Sequence, residues 1–351
     1  MRLALAGDIA LHGLISSDTA SNAERFRWLE GELSGCDGMI ANLEAPVEAG
    51  ERNSGKKAHL FAGASVTEEL LKRLNVTCVS LANNHILDCG SGGLENTIAL
   101  LDRLGIYHSG AGLTADQAAP VIFPLAGKKI AFAAWNHDST NPAHDRYPAL
   151  FLNIFNRTEA EAEIRKLRQK ADIVIASIHW GTDYSFFHES WQREAAEGLA
   201  AAGADIIMGH HSHTLQPFEN IGSAAVFYGL GSLVFGDFMR HGSMYALYRR
   251  TKHSAVFMID ESCRVSGAIS THELKGNRIV NGGRDIFRRN DRLLHMSRIR
   301  ERNRTAAAVI RFQERVLSRI WEYFFGYYMN PLKRLIQVGN IRKGFRLFRQ
   351  V

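Results

Sequence analysis

Three separate stretches of the chain have the pattern of buried strands that end in metal-type ligands. Each begins with a short run of apolar, mostly β-branched residues and then breaks at polar side chains with a glycine nearby. The stretches are 76–90 (VTCVSLANNHILDCG), 172–181 (DIVIASIHWG) and 205–217 (DIIMGHHSHTLQP). Because sites in open α/β sheets form at the carboxyl ends of strands, this repetition predicts an α/β fold with one site at a shared sheet edge.

Composition indicates a large globular protein. The chain has 351 residues, 46% of them hydrophobic, which is ample for a substantial core. Its four cysteines show no CxxC spacing, which disfavours a disulfide framework and a cysteine zinc site and fits a reducing compartment. The opening residues MRLALAGD lack the features of a secretory signal, and no apolar run is long enough to span a bilayer. We therefore expect a cytoplasmic protein.

Two further predicted strands carry carboxylates. Asp8 follows an apolar strand at 2–7, where it is either a hard oxygen ligand or an ordinary N-cap or turn aspartate. The next strand, DGMIANLEAP, places Asn42 and Glu44 two residues apart and hence on one side of an extended chain. Glu44 is therefore the second carboxylate candidate.

The predicted strand ends together supply imidazole, carboxylate and amide oxygen donors. A histidine at a single strand end is usually an ordinary surface residue, so the prediction depends on several strand ends carrying ligands at once. This mixed donor set favours two divalent ions such as manganese, iron or zinc over magnesium alone, and such pairs activate water for hydrolysis. The predicted metal ligands are Asp8, Glu44, Asn84, His179, His211 and His213.

Other polar residues at the same edge are assigned to catalysis and substrate binding. His85, one residue beyond Asn84, is predicted either to donate a proton to the leaving group or to stabilise developing negative charge. Asp88 lies three residues further on and is expected to orient His85, so we count it with the catalytic pair. The predicted substrate-binding residues are Asn42, Asn83, His137, Trp180 and His210.

Seven segments over about residues 2 to 240 contain most of the predicted site residues: GDIALHG, ANLEAPV, SLANNHILDCG, HSGAG, SIHWGTDYS, GADIIMGHHSHTLQP and FYGLGSLVFGD. In order and spacing these segments resemble those of the CapA family, the bacterial poly-γ-glutamate capsule synthesis proteins. The family is similar to the calcineurin-like metallophosphatases, which implies a four-layer α/β/β/α sandwich. By this resemblance the six predicted ligands match metal-binding positions, and His85 matches the catalytic histidine.

The chain departs from the family pattern at several positions. Metallophosphatases usually have a histidine two residues after the first aspartate, where this chain has Ala10, so either one metal is held more weakly or His12 substitutes. The usual HWGxEY and GHHPH are HWGTDY and GHHSH here. The usual LGNxxF is LGSLVF, and Ser232 thus replaces an amide that could orient a histidine or the substrate.

The charge of the chain changes sharply near residue 272. Residues 272–351 hold 19 Lys and Arg against 6 Asp and Glu, a net charge of +13, whereas residues 1–271 carry −7. We predict a metallophosphatase-fold domain at 1–271 and a basic amphipathic helical tail at 272–351. Such a tail packs on its own domain, docks a partner or makes peripheral contact with the anionic inner face of a membrane. No nucleic-acid-binding motif accompanies the charge, so nucleic acid is not an expected partner.

Two functions fit this sequence. One is a metal-dependent hydrolase that cleaves a phosphoester or a γ-glutamyl amide bond of an anionic substrate. The other is a non-catalytic accessory that binds an anionic polymer during its synthesis or export. The polar loop at 49–57 is either a lid over such a substrate or a solvated turn.

Overall fold

The computed structural model describes residues 1–13, 22–51, 59–142, 144–236, 238–240, 243–245, 249–274, 278–312 and 314. Most of the loop at 49–57 and the tail beyond residue 314 lie outside these ranges. The predicted lid and most of the predicted amphipathic tail therefore stay predictions.

In the described structure, helices are interspersed among the strands up to about residue 210, and strands then dominate up to residue 281. The strands are β1 Leu3–Ala10, β2 Gly38–Leu43, β3 Val76–Ser80, β4 Tyr107–Ser109, β5 Ala111–Gly112, β6 Val121–Leu125, β7 Lys128–Asn136, β8 Phe151–Leu152, β9 Ile173–His179, β10 Ile206–His210, β11 Phe218–Ile221, β12 Ala224–Phe227, β13 Ser232–Phe235, β14 Phe238–Arg240, β15 Ser243–Tyr245, β16 His253–Ile259, β17 Val265–Glu273 and β18 Ile279–Asn281. The α-helices are α1 Asn22–Leu33, α2 Ala64–Arg73, α3 Gly90–Leu104, α4 Ala115–Ala118, α5 Arg157–Arg168, α6 Ser190–Ala202, α7 Ile286–Arg302 and α8 Arg304–Phe312.

Two large sheets form the centre of the fold. Within the described ranges, the first has the strand order β18-β17-β16-β1-β2-β3-β4, with β13 pairing along the end of β1, and the second has the order β11-β12-β10-β9-β7-β6. β1 to β4 run parallel to one another, as do β7, β9, β10 and β12 in the second sheet. In each sheet the carboxyl ends of these strands therefore lie at one edge, where ligands usually bind.

Alternating side chains of each sheet fill two different apolar layers. In β1, Leu3 and Leu5 pack against the other sheet, whereas Ala4 and Ala6 pack against the helices. The second sheet does the same, since Phe132 faces the first sheet while neighbouring residues of β7 face the layer of α5 and α6. Each large apolar side chain buried in this way stabilises the fold by about 1.5–3 kcal/mol. The layers thus stack as helix, sheet, sheet and helix, and the predicted α/β/β/α sandwich is confirmed.

The first part of the predicted tail is built into these sheets. β17 crosses the proposed boundary between residues 271 and 272, and β18 extends the same sheet. α7 covers the edge strand β11, where the Asn290 side chain both donates to and accepts from the backbone of Phe218 at 2.7 Å. An edge strand has unpaired backbone groups that need partners, a requirement that a charge count does not reveal. β17, β18 and α7 therefore pack as part of the sandwich.

The end of the described chain exposes apolar side chains. On α8, Val309 is 60% and Phe312 is 51% exposed. No helix in the described part of the chain combines the length and the hydropathy that crossing a membrane requires. Whether the chain's own domain, a partner or a membrane contacts these two side chains stays a matter of prediction.

Candidate metal centre

Strand register brings the predicted polar residues to one level of each sheet. In the first sheet Asp8 lies opposite Asn42, and Asn42 lies opposite Ser80. In the second sheet His179 lies opposite His210. Paired residues in neighbouring strands stand about 5 Å apart, so these pairings place the donors of separate segments side by side.

Asp8 lies within β1 and not after its end. β1 continues to Ala10, and its pairing shifts register directly after Asp8. At this point β13 comes very close, because a Cβ atom on Gly7 would lie only 1.8 Å from the carbonyl oxygen of Gly231. The Asp8 backbone N–H donates to that same oxygen at 2.9 Å. The irregularity thus fixes Asp8 where the two sheets meet, and the predicted strand end at residue 7 is corrected to residue 10.

Asp8, Glu44 and His213 form a buried group of possible metal ligands. One ligand atom from each lies within 4.8 Å of the others. Glu44 Oε1 lies 3.8 Å from His179 Nε2 and 3.9 Å from His213 Nε2. Asn84 Oδ1 lies 3.1 Å from His179 Nε2. Glu44 therefore lies between two imidazoles, and carboxylate with imidazole is a donor set that can hold a divalent ion.

His211 and His213 turn toward this group through an unusual backbone. Their φ angles are 84° and 54°, in the left-handed region that costs a non-glycine residue about 1–3 kcal/mol. The ring of His211 lies 4.9 Å from that of His179 and 6.2 Å from that of His213, measured between centroids. The strained turn allows histidines two residues apart to face one centre, and all six predicted ligands are brought together.

Three residues predicted to bind substrate are buried, and their polar atoms contact other residues of the site. The Asn42 amide donates to Asp8 Oδ1 at 2.9 Å, and His210 Nδ1 lies 3.2 Å from the same oxygen. The Asn83 amide donates to Asn42 Oδ1 at 3.2 Å and to the Leu43 carbonyl oxygen at 2.9 Å. All three residues are at most 1% exposed, and their predicted role in substrate binding stays a prediction.

Trp180 and His137 both contact Trp191 of α6. Trp180 follows His179 in an extended chain, so its side chain points to the opposite face, where it is fully buried and donates to the Tyr228 carbonyl oxygen at 3.0 Å. The role of Trp180 in substrate binding stays a prediction. The half-buried His137 ring stacks on Trp191 of α6 at 4.2 Å.

His85 and Asp88 form a close pair at the turn that presents Asn84. His85 Nδ1 lies 2.6 Å from Asp88 Oδ2, and the Leu60 backbone N–H also donates to that oxygen at 2.8 Å. Asp88 is fully buried, whereas the His85 side chain is 16% exposed. A carboxylate at Nδ1 holds the imidazole in the orientation that leaves Nε2 for proton transfer.

Two supporting residues were not assigned a role from the sequence. Asp183 Oδ1 lies 3.3 Å from His211 Nε2, and Ser232 Oγ lies 3.1 Å from His213 Nδ1. In the sequence, Asp183 could have been noticed because it lies four residues after His179. Ser232 could have been noticed because it replaces an asparagine of the family pattern. His12 is buried with its ring 4.7 Å from that of Phe235 and its Nδ1 3.2 Å from the Ala10 carbonyl oxygen.

The electrostatics of the group favour a bound cation. Burial lowers the pKa of His211 to about 4 and that of His179 well below the usual range. Burial acts in the same direction on His213, but the carboxylates of Glu44 and Asp8 outweigh it and raise the pKa of His213 to about 9. Burial would raise the pKa of Asp8, yet hydrogen bonds with His210 and His213 hold it well below the usual range. A proton on His213 thus supplies positive charge that the carboxylates require, and a metal ion competes with that proton.

We expect Ser232→Ala to weaken Mn²⁺ binding by roughly 10- to 100-fold, because the His213 ring loses the hydroxyl that orients it. Calorimetric titration of the purified chain measures this. Ser254→Ala is the matched control, since Ser254 is equally buried at 2% exposure and its hydroxyl donates to the Leu230 carbonyl oxygen. Equal Mn²⁺ affinities in the two variants would contradict a role for Ser232 in holding the ligand.

Comparison with known proteins assigns this chain to a family. Residues 2–237 match the family model described as bacterial capsule synthesis protein PGA_cap. The chain belongs to the PGA_cap family. The PGA_cap segment includes every strand that carries a candidate ligand, and it ends before β16 and α7.

Curated relatives of this PGA_cap chain carry names from capsule polymer biosynthesis. The PGA biosynthesis protein CapA of Bacillus subtilis (strain 168) is 30% identical over 227 residues, which cover 60% of this chain and 56% of the relative. The capsule biosynthesis protein CapA of Bacillus anthracis is 29% identical over 219 residues, covering 60% of this chain and 53% of the relative. A probable polyglutamine synthesis accessory protein of Mycobacterium tuberculosis (strain H37Rv) is 29% identical, with 60% of each chain covered. The chain therefore spans little more than half the length of these relatives.

Solved structures give more distant matches to the PGA_cap chain. A novel phosphatase from Mycoplasma pneumoniae has a TM-score of 0.49 and 13% identity, over 77% of this chain and 92% of that one. A 5'-nucleotidase precursor from Thermus thermophilus has a TM-score of 0.42 and 12% identity, over 85% of this chain and 59% of that one. Both scores are below 0.5 and carry no inference about the activity of this PGA_cap protein.

The loop between β9 and α6, residues 181–188, borders the metal centre of this PGA_cap protein, and we call it the entrance loop. At its end His188 stacks on Tyr228 at 3.8 Å. Burial, together with the charges of Arg300 and Arg193, lowers the pKa of His188 to about 3. Glu301 faces the ring from α7 at 3.4 Å. The folded chain therefore keeps this imidazole neutral at pH values at which an unfolded histidine binds a proton.

This burial predicts a loss of stability in acid. The contribution of His188 is fully present above the unfolded pKa of about 6.5 and falls as the pH drops toward about 3, by about 2 kcal/mol at pH 5. In His188→Phe, which keeps a ring on Tyr228, the urea midpoint should fall less between pH 7 and pH 5 than in the parent chain. His295→Phe changes an exposed histidine of α7 and should leave the fall unchanged. An identical acid loss in His188→Phe and the parent would refute the assignment.

Proposed function

We propose that this chain is a metal-dependent hydrolase that cleaves a phosphoester or a γ-glutamyl amide bond of an anionic substrate. The observation that carries the proposal is the buried group of Asp8, Glu44 and His213, which lies at the same sheet edge as the His85 and Asp88 pair. A structural role alone does not explain this group. Burying two carboxylates among imidazoles is unfavourable for folding unless a cation or a proton compensates the charge.

The donors fit a pair of manganese, iron or zinc ions. Neutral imidazole nitrogen, carboxylate and amide oxygen are the ligands that such ions accept together. The residues that would hold them are Asp8, Glu44, Asn84, His179, His211 and His213, with His210 also close to Asp8. When bound, such ions act as Lewis acids that activate water and stabilise charge developing on the scissile group.

The remaining chemistry falls to side chains of the chain. The His85 ring, held at Nδ1 by Asp88, gives a proton from Nε2 to the leaving oxygen or nitrogen. Asn42 and Asn83 hold Asp8 and the loop around Leu43 in place. The His85 side chain is partly exposed, whereas Asp88 is fully buried. A substrate that approaches from solvent can therefore reach the His85 ring.

The printed names of the relatives support a role in poly-γ-glutamate or other capsule polymer biosynthesis, and an anionic polymer is the substrate or partner that we propose. We further propose a cytoplasmic location, from the cysteine usage, and peripheral contact of the basic tail with the inner face of the membrane, from its net charge of +13. Vesicle co-sedimentation that does not change when residues 315–351 are deleted would rule out the membrane contact.

A non-catalytic accessory that binds an anionic polymer is the second candidate. The word accessory in the name of the Mycobacterium tuberculosis relative supports it. In this reading the same metal ions would hold carboxylates of the polymer and no bond would be cleaved.

One experiment separates the two candidates. The purified full chain is stripped with a chelator, reloaded with Mn²⁺ and assayed on a generic phosphodiester and on poly-γ-glutamate, with Glu44→Gln as the negative control. Turnover that requires Mn²⁺ and Glu44 supports the hydrolase. Stoichiometric Mn²⁺ binding and polymer binding without turnover on either substrate would overturn the hydrolase and support the accessory.

A further inference from the structure

The entrance loop contacts the metal centre on one side. Asp183 Oδ1 lies 3.3 Å from His211 Nε2. The Tyr184 backbone N–H donates to the Ser212 carbonyl oxygen at 2.8 Å, within the turn that carries the ligand histidines. Tyr184 itself has a φ of 61°, a conformation that persists only when surrounding contacts hold it. The position of the loop thus affects how His211 faces the centre.

On its other side the entrance loop contacts α7. The Arg300 guanidinium donates to the His188 carbonyl oxygen at 3.2 Å and to Glu189 Oε2 at 2.8 Å. Arg300 is only 8% exposed, so water screens these contacts little. The Arg289 guanidinium lies 5.5 Å from the centroid of the Phe186 ring, within the range of a cation–π contact.

Glu314 makes a third contact with the entrance loop. Its carboxylate accepts a hydrogen bond from the Phe186 backbone N–H at 2.8 Å and one from the Ser185 hydroxyl at 3.2 Å. A carboxylate that accepts from a backbone N–H makes a charge-assisted hydrogen bond, which is stronger than a neutral one. Glu314 and α7 therefore hold consecutive residues of one loop.

We propose that α7, α8 and Glu314, together called the C-terminal arm, position the entrance loop, and that Arg300 and Glu314 are positioning residues that act on His211 through Asp183. The match to the PGA_cap family ends at residue 237, so the arm lies outside the matched segment. A binding partner or a substitution at the arm would thus alter the metal centre without contacting a metal-ligating residue. The effect on metal binding rests on the proposed function, whereas the effect on the loop does not.

Hydrogen exchange tests the loop directly. In the metal-free full chain, Arg300→Met and Glu314→Gln should each raise the exchange rate of the amides at 182–188 by roughly tenfold or more, since loops held by few contacts open more often. The matched control is Arg292→Met, which changes an exposed arginine of the same helix. Unchanged exchange at 182–188 in both Arg300→Met and Glu314→Gln would overturn the proposal. If Arg300→Met fails to fold, Glu314→Gln alone decides the outcome.

Manganese affinity then tests the route through Asp183. Asp183→Asn should weaken Mn²⁺ binding by roughly tenfold, because it removes the charge that orients His211. Glu314→Gln should weaken binding by a smaller factor, and the double variant should be no weaker than Asp183→Asn alone. Losses that multiply in the double variant would show two independent effects and refute the route. A parent chain that binds no Mn²⁺ would refute the metal site, and the exchange experiment would still decide the role of the arm.

Discussion

Replacing Glu44 by Gln is expected to weaken Mn²⁺ binding by at least roughly 100-fold and to abolish Mn²⁺-dependent turnover. Glu44 is fully buried and lies within 3.9 Å of two imidazoles that the second sheet presents, so its carboxylate is a central donor of the proposed centre. A neutral amide binds divalent cations more weakly than a carboxylate does and does not bridge them as well. Calorimetry with the metal-stripped chain and the phosphodiester assay measure the two effects.

The same variant should fold at least as well as the parent in the absence of metal. Glutamine has nearly the shape of glutamate but brings no buried charge, so the unfolding midpoint of the metal-free chain should stay equal or rise. His213 should lose its main source of positive-charge stabilisation, and an NMR titration should find its pKa below the parent value of about 9. Glu48→Gln, at an exposed position four residues further on, should change none of these quantities. Full Mn²⁺ affinity in Glu44→Gln would disprove the proposed centre.

Replacing His85 by Gln should lower turnover by roughly 10²- to 10⁴-fold and leave the Mn²⁺ content of the chain unchanged. The reason is that His85 is the proposed proton donor and not a proposed ligand. Asp88→Asn should have a smaller effect, about 10- to 100-fold, because the ring stays in place while the carboxylate that orients it is lost. Steady-state kinetics at saturating Mn²⁺, with metal content measured on the same samples, gives both values.

The leaving group provides the decisive control for this pair. A substrate with a good leaving group needs little proton donation, so His85→Gln should be far less impaired on an activated aryl phosphoester than on an alkyl one. Equal losses on both substrates, or a loss of bound metal in His85→Gln, would show that His85 supports the metal centre and does not act as the acid.

Local patterns predicted the secondary structure well. The apolar spacing of Phe26, Leu29 and Leu33 is typical of a helix with one buried face, and α1 spans Asn22–Leu33 with all three side chains buried. The pattern of residues 121–134 is typical of a hairpin with its turn at Gly127, and β6 and β7 pair around that turn. Both depend on residues near one another in the chain, because the helix period and the turn are local properties.

Long-range packing decides what local patterns leave open. Asn42, Asn83 and Trp180 lie near strand ends as expected, and contacts with residues distant in the chain bury their side chains completely. The net charge of +13 marked 272–351 as separate, whereas β17, β18 and α7 complete the sandwich. Surface charge bears on solubility and on binding partners. It does not indicate which segment pairs with or covers the edge strand of a sheet.

The sequence by itself determined that several strands end in metal-type donors, because the alternation of apolar residues and the identity of the polar residues after them are written in each segment alone. Only the tertiary structure decided that Asp8 lies at an irregular pairing beside Gly231, that Asp183 and Ser232 hold the histidines, and that the C-terminal arm holds the entrance loop. These contacts join residues far apart in the chain, and their geometry depends on how two sheets pack, which no local pattern specifies.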